Sequence, residues 1–209
     1  MAYAQFGEDD IINVFFGTKN PSYLDIGAGT PEQINNTFLF YSRGGHGVLV
    51  EPDPVKCKAL RSRRPRDIVI QAAVGTKNMG PSTTLYVLTD RYLNTLSKKE
   101  VDHMVQSNGW GSQRVEQELV VPVVRINSLM ETYFRSGLDL LSIDVEGLDL
   151  EILGELDFEK HSPKLVCIET LGGYLTFSQQ DAIDFMKSKK YSVYKETPLN
   201  SLFCQGGAA

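Results

Sequence analysis

Short apolar runs recur along the chain, separated by longer stretches in which apolar residues fall three and four apart. The first spacing predicts buried strands and the second amphipathic helices. Glu8–Phe16 opens with acids and carries Ile11, Ile12, Phe15 and Phe16 at helical spacing, so a helix leads the chain. Tyr23–Ile26 and Val48–Val50 read as strands, with helices over 35–43, stopped by Gly44 and Gly45, and over 54–64, opened by a proline at a tolerated position. Strands follow over 68–74 and 83–88. The rhythm then breaks at 89–116, where a polar helical stretch over 97–106 precedes Asn108-Gly109-Trp110-Gly111. Strands over 120–126 and 138–145 flank a short helix over 128–134. A helix over 148–156, a strand over 164–169, a helix over 179–189 and a final strand pair over 191–194 and 202–204 complete the chain. Strands separated by helices predict an α/β fold with a doubly wound, mostly parallel sheet and right-handed crossovers. With no repeat, low-complexity stretch or linker, residues 1–205 read as one domain and 206–209 as a disordered tail.

The first two strands carry the most informative chemistry. Strand 23–26 contains Asp25 and runs into Gly27 and Gly29; strand 48–50 ends in Glu51. Glycines let a backbone approach a ligand, and an acid after the second strand accepts hydrogen bonds from ribose hydroxyls, so the unit predicts a nucleoside site. A dinucleotide fingerprint needs a third glycine at position 32, which here is Glu32. A carboxylate there would repel a pyrophosphate. An acid-x-Gly-x-Gly turn without phosphate-binding features suits S-adenosylmethionine, which has an ammonium, a sulfonium and a ribose but no phosphate.

Ligands in such sheets bind beyond the carboxyl ends of the strands. Those ends carry Asp25, Glu51, Asp144 with Glu146, and Glu169 with Thr170, plus the small run Ala72-Ala73-Val74. Strands buried on both faces are nearly continuous apolar runs, so acids clustered at their ends are costly unless they bind something. Capping of the next helix is the competing account for Asp144 and Glu146. A formal net charge of −5 argues against nucleic acid as a partner, and no apolar run reaches the ~20 residues of a membrane span. The N-terminus lacks signal-peptide regions, and Cys57, Cys167 and Cys204 are scattered without a C-x-x-C, which fits buried thiols in a reducing, cytoplasmic setting.

Several segments together resemble the FkbM family of S-adenosylmethionine-dependent methyltransferases. They are Gln5-Phe6-Gly7-Glu8-Asp9, Asp25-Ile-Gly-Ala-Gly, Asn36-Thr37-Phe38-Leu39-Phe40-Tyr41, Glu51-Pro52-Asp53-Pro54, Ser142-Ile-Asp-Val-Glu-Gly147 and Val166-Cys-Ile-Glu169. The chain departs from the family pattern at Gly29, where many relatives carry Asn. The resemblance implies a seven-stranded Rossmann-like methyltransferase sheet with helices on both faces. It also implies methyl transfer to a hydroxyl oxygen, often of a sugar or glycan such as a terminal deoxyhexose, sometimes of a polyketide or other secondary metabolite. Residue by residue, Asp25, Gly27 and Gly29 would line the methionine part of the cofactor, Glu51 would hold the ribose with Asp53 nearby, and Ala72, Ala73 and Val74 would flank the adenine. Gln5 and Glu8 would close over the cofactor, Glu8 being equally readable as a first-turn helix acid. Asn36 and Thr37 either face the cofactor or cap their own helix. The family also contains modules fused to glycosyltransferases, and the ends of this chain would fit a domain of such a larger polypeptide. A non-catalytic nucleoside-binding module is the reading from a different class.

A sugar hydroxyl is a poor nucleophile, so a base must take its proton or a divalent cation must lower its pKa. Hard carboxylate oxygens suit Mg²⁺ or Mn²⁺, and Asp144 with Glu169 are the expected ligands, joined by Glu146 or Thr170. The alternative is a metal-free site with Asp144 or Glu146 as catalytic base. Segment 89–116 is the expected acceptor lid: Tyr92, Asn94, Thr95, Trp110 and Arg114 suit a carbohydrate, with His103 within reach, although a packed plug or surface helix would show the same residues. His46 and His161 read as structural. The basic run 61–66 reads as a solvated helix end.

Overall fold

The computed structural model describes residues 2–106, 113–170 and 177–206. The chain begins α1 (Glu8–Phe16), β1 (Tyr23–Ile26), α2 (Phe38–Ser42), β2 (Val48–Val50), α3 (Pro54–Arg63), β3 (Ile68–Ile70) and β4 (Ala73–Val74). It continues through β5 (Ser82–Leu88), a 3-10 turn η1 (Arg91–Leu93), α4 (Lys98–Gln106), β6 (Val115–Val124), α5 (Ile126–Tyr133) and β7 (Leu140–Ile143). The last elements are α6 (Asp149–Gly154), β8 (Leu165–Glu169), α7 (Gln179–Ser188), β9 (Tyr191–Glu196) and β10 (Asn200–Gln205).

Seven strands form one sheet in the order β3-β2-β1-β7-β8-β10-β9, the doubly wound arrangement that the alternating pattern predicted, with the strand number that the family resemblance implied. The first five are parallel, and β10 runs antiparallel between β8 and β9. Chain order reverses between β1 and β7, which creates the crevice where such sheets bind ligands. Period-two alternation sorts the core. Leu24, Ile26, Val48, Val50, Leu141, Ile143, Val166 and Ile168 face α5, α6 and α7 through Leu129, Met130, Ile152, Leu153 and Met186. Tyr23, Leu49, Leu140, Leu165 and Cys167 face the other way, against Ile12, Leu39, Phe40 and Leu60. Each fully buried side chain of this size contributes roughly 1.5–3 kcal/mol.

The predicted strand over 68–74 is two strands. Its first half pairs with β2 at the sheet edge, and its second half leaves to pair with β6. The result is an unexpected three-stranded sheet, β4-β6-β5, with Ala73, Leu85, Val87 and Val121 as its own small core. The helix predicted over 35–43 starts only at Phe38. Ile34 has φ 48, and the Asn35 side-chain oxygen takes the N–H groups of Thr37 (3.0 Å) and Phe38 (2.8 Å), so the preceding turn is bound locally and not helical.

The basic run 61–66 is not wholly solvated. Arg64 is 0% exposed and its guanidinium meets Asp67 (2.7 Å), Asn35 (3.0 Å), Thr37 (2.9 Å) and Tyr23 (3.2 Å). Asp67 in turn accepts from the Tyr23 hydroxyl and the Gly47 N–H, both at 2.7 Å. A buried cation survives only when its donors are matched in this way.

Candidate active site

The crevice beside β1 opens into a cavity of about 300 Å³. Its floor is the turn after β1. Gly27 (φ 81) and Gly29 (φ 61) adopt left-handed backbone. Gly27 and Ala28 donate their N–H groups to the Val50 carbonyl at 2.9 and 3.2 Å, which ties the turn to β2. Glu51, 3% exposed, accepts from the Gly29 N–H (2.9 Å) and the Asp53 N–H (2.8 Å), one on each carboxylate oxygen. Each oxygen keeps a lone pair, so the carboxylate is held in one orientation and can still accept from a ligand donor.

The opposite wall is acidic. The chain leaves β7 through Asp144, Val145 and Glu146, the last at φ 56, an unusual backbone for a non-glycine residue. The turn is folded back by Asp149, which is fully buried and accepts from the Val145 N–H (3.0 Å) and the Gly147 N–H (3.1 Å). Thr95 adds a bond from its hydroxyl to the Glu146 carbonyl at 2.8 Å. These contacts bring Asp144 and Glu146 beside Glu169 at the end of β8, with one carboxylate oxygen of each within 4.8 Å of the others. Glu169 is 8% exposed, and its Oε2 is buried without a hydrogen-bond partner among the described residues.

Burial raises the proton affinity of every one of these acids. Asp144 is pushed up by desolvation and then by the charges of Asp149 and Asp25, Glu146 by desolvation and then Asp144, and Glu169 by desolvation and then Asp144 and Glu146. Asp149 is pushed up to about 6 by burial. Lys56, on the first turn of α3, lines the same cavity and draws Glu51, Asp144 and Glu146 back down. Folded-state pKa values above the unfolded ones stabilise the chain fully below the unfolded values and lose that contribution as pH rises through the folded ones. In metal-free buffer the protein is therefore expected to melt several degrees lower at pH 8 than at pH 5.5, by about 2–4 °C per kcal/mol at this size. A calorimetric pH series checks it, and a melting temperature that climbs over that range would contradict the buried acids.

Of the residues expected at the cofactor, Gln5, Gly27, Gly29, Glu51, Ala72, Ala73, Val74 and Asp144 line the cavity, with Glu146 and Glu169 beside them. Others do not reach it, for identifiable reasons. Asp25 lies on the sheet face turned toward α2, where it accepts from the Thr37 hydroxyl at 2.7 Å. Thr37 is fully buried between Asp25 and Arg64, and Asn36 donates to the Ser142 hydroxyl at 3.1 Å. Glu8 is spent on Thr197 (2.7 Å), Asn200 (3.0 Å) and the Phe6 N–H (2.9 Å). Asp53 caps α3 through the Val55 N–H and clamps Arg91 (2.7 Å) and Asn94 (3.1 Å).

The expected acceptor residues divide likewise. Tyr92 and Asn94 line the cavity, but Thr95 is buried behind it. His103 sits exposed on α4 and Arg114 exposed before β6, both away from the cavity wall, and Trp110 lies outside the described residues. Thr170 pairs with the Ser201 hydroxyl at 2.7 Å. Lys56, Asp90, Leu85 and Asn200 line the cavity without having been singled out in sequence. Lys56 alone had a local signal, a cation on the helix turn that follows Glu51. The other three arrive from the second sheet and the β9–β10 hairpin.

Residues 25–193 match the model of the methyltransferase FkbM domain. No curated protein matches the chain. Among solved structures, a TehB-like SAM-dependent methyltransferase from Corynebacterium glutamicum is similar at 10% identity and a TM-score of 0.47, over 96% of this chain and 88% of that one. With the family model spanning most of the sequence, the chain belongs to the FkbM family of S-adenosylmethionine-dependent methyltransferases.

Proposed function

We propose that the protein transfers the methyl group of S-adenosylmethionine to a hydroxyl oxygen of a sugar, on a glycan or glycoconjugate, with a divalent cation held at the end of β7 and β8. The observation that carries the oxygen chemistry is the convergence of Asp144, Glu146 and Glu169, each offering one oxygen within 4.8 Å of the others, with an unpartnered buried oxygen on Glu169. An all-carboxylate donor set fits Mg²⁺ or Mn²⁺, and these three residues would hold the ion. Such an ion lowers the pKa of a coordinated hydroxyl. The family resemblance supports a sugar as the acceptor.

The chain's own residues supply the rest. Glu51, fixed by two backbone N–H groups, takes the ribose hydroxyls and sets where the sulfonium falls along the crevice. The glycine turn brings the backbone close beneath it. Orientation of an acceptor oxygen in line with the methyl group removes several kcal/mol of barrier by itself. Without an ion at these carboxylates, Asp144 or Glu146 would instead take the hydroxyl proton as the methyl transfers.

Titration with S-adenosylhomocysteine in EDTA, and again with Mn²⁺ or Mg²⁺, is the first test; cofactor-product binding in both buffers is expected. Methyl transfer to simple deoxyhexosides should then fall by at least about tenfold in EDTA. Absence of S-adenosylhomocysteine binding sinks the methyltransferase reading. Transfer that proceeds equally in EDTA removes the ion and leaves a carboxylate base.

A further inference from the structure

Glu8 and Asn200 meet across nearly the whole length of the chain. Glu8, on α1, spends Oε2 on the Phe6 N–H (2.9 Å) and Oε1 on the Thr197 hydroxyl (2.7 Å) and the Asn200 Nδ2 (3.0 Å). A carboxylate only accepts, so the Asn200 amide has one orientation, with its nitrogen turned to Glu8 and its Oδ1 turned away. The Asn200 backbone is spent as well: its N–H goes to the Thr197 hydroxyl (3.0 Å), and its carbonyl accepts from the Thr197 N–H (2.8 Å). Asn200 is 7% exposed and lines the cavity, yet its Oδ1 has no hydrogen-bond partner among the described residues. A buried, fixed amide oxygen on a cavity wall calls for a donor from outside the chain.

Asn200 stands directly opposite Glu169 in the antiparallel pair of β8 and β10. Its backbone groups turn toward Thr197, so the two residues form a non-hydrogen-bonded pair. That is the closer kind, with Cα atoms about 4.5 Å apart and side chains on one face. Glu169 belongs to the acid cluster and carries its own unpartnered Oε2. Across the sheet, Glu51 follows β2, the glycine turn follows β1, Asp144 follows β7, Glu169 ends β8 and Asn200 opens β10. With the ribose at Glu51, Asn200 lies on the far side of the acids, which is the acceptor's side.

We propose that Asn200, oriented by Glu8, accepts a hydrogen bond from the hydroxyl adjacent to the one that is methylated, so that the acceptor is a vicinal diol whose second hydroxyl is free. This rests on the sugar O-methyltransferase reading and deepens it. One ligand with neighbouring hydroxyls can touch both members of so close a cross-strand pair. An acceptor that lacks the second hydroxyl, or carries it as an ether, leaves the Asn200 oxygen buried and unpaired.

Methyl α-L-rhamnopyranoside and methyl α-L-fucopyranoside are the probes, with the methylated position read by NMR. Analogues lacking each adjacent hydroxyl in turn are then compared with the parent. Loss of the hydroxyl that Asn200 reads should lower kcat/KM by at least about tenfold. Asn200→Ala should bring parent and analogue within about threefold of each other, because neither is then read. Its affinities for S-adenosylhomocysteine and Mn²⁺ should stay within about threefold of wild type. Wild-type enzyme that methylates every analogue as well as the parent overturns the assignment, as does an Asn200→Ala variant that keeps the preference. Weakened Mn²⁺ binding in that variant makes the amide oxygen an ion ligand and overturns it too. A wild type that binds S-adenosylhomocysteine but methylates neither glycoside overturns the sugar reading together with it, whereas one that does not bind S-adenosylhomocysteine overturns the methyltransferase reading itself. The wild-type comparison decides the matter even where Asn200→Ala fails to fold.

Discussion

Gly27→Ala is expected to be the most damaging single-methyl change in the molecule. A Cβ there would sit 1.7 Å from the Asp144 carbonyl oxygen and 3.3 Å from Val145 Cγ1, on a residue whose φ of 81 already disfavours a side chain. Neither neighbour can retreat. The Gly27 N–H is bonded to the Val50 carbonyl, and the Asp144 N–H to the Ile26 carbonyl, both at 2.9 Å. The clash therefore pries apart β1 and β7, the central pair of the sheet. A cost above about 4 kcal/mol is expected, which at this size lowers the melting temperature by roughly 8–16 °C. Gly29→Ala is the control. It has φ 61, and its Cβ would meet only the Gly27 carbonyl at 3.7 Å, leaving about 1–2 kcal/mol of backbone strain. Thermal denaturation of the two variants side by side checks the argument, and equal melting temperatures would refute it.

Asp144→Asn is expected to separate stability from chemistry. The substitution keeps the shape of the side chain but removes one negative charge from three converging acids. Since the Asp144 charge helps raise both Glu146 and Glu169, its removal relieves them, and the variant should melt at the same temperature as the wild type or higher at pH 8. Turnover should fall by about 10²–10⁴, the range for losing a positioned base or ion ligand. S-adenosylhomocysteine affinity should change by less than about threefold, because Glu51 and the glycine turn are untouched. Stability rising while activity falls is the pattern of a site whose electrostatic strain serves function. Turnover within tenfold of wild type would place the chemistry elsewhere.

The doubly wound sheet was legible in sequence because strand burial is a local property. A strand covered on both faces must be apolar throughout, and 23–26, 48–50 and 140–143 are, apart from Asp25 and Ser142. Glu51, Asp144 and Glu169 stood out for the same reason, as acids at the ends of apolar runs. Parity held one further signal: Asp25 alternates with Leu24 and Ile26, which face α5 to α7, so its carboxylate had to point toward α2 and away from the crevice. What periodicity could not carry was the choice of partner. Glu8 is claimed by Thr197, 189 residues away. Asp53 is claimed by Arg91 and Asn94, from the turn that follows β5, a strand of a sheet whose existence depends on the chain turning away after Ile70. Gly27 and Gly29 look alike in sequence and differ only because β7 arrives against one of them. The chain by itself determined the strands at the centre of the main sheet and which acids would end them, but not the break after Ile70 or the start of β6 at Val115. The tertiary structure alone decided which of those acids face the cavity and which are consumed inside the protein, because a carboxylate's role depends on which donors reach it, and those donors come from distant parts of the chain.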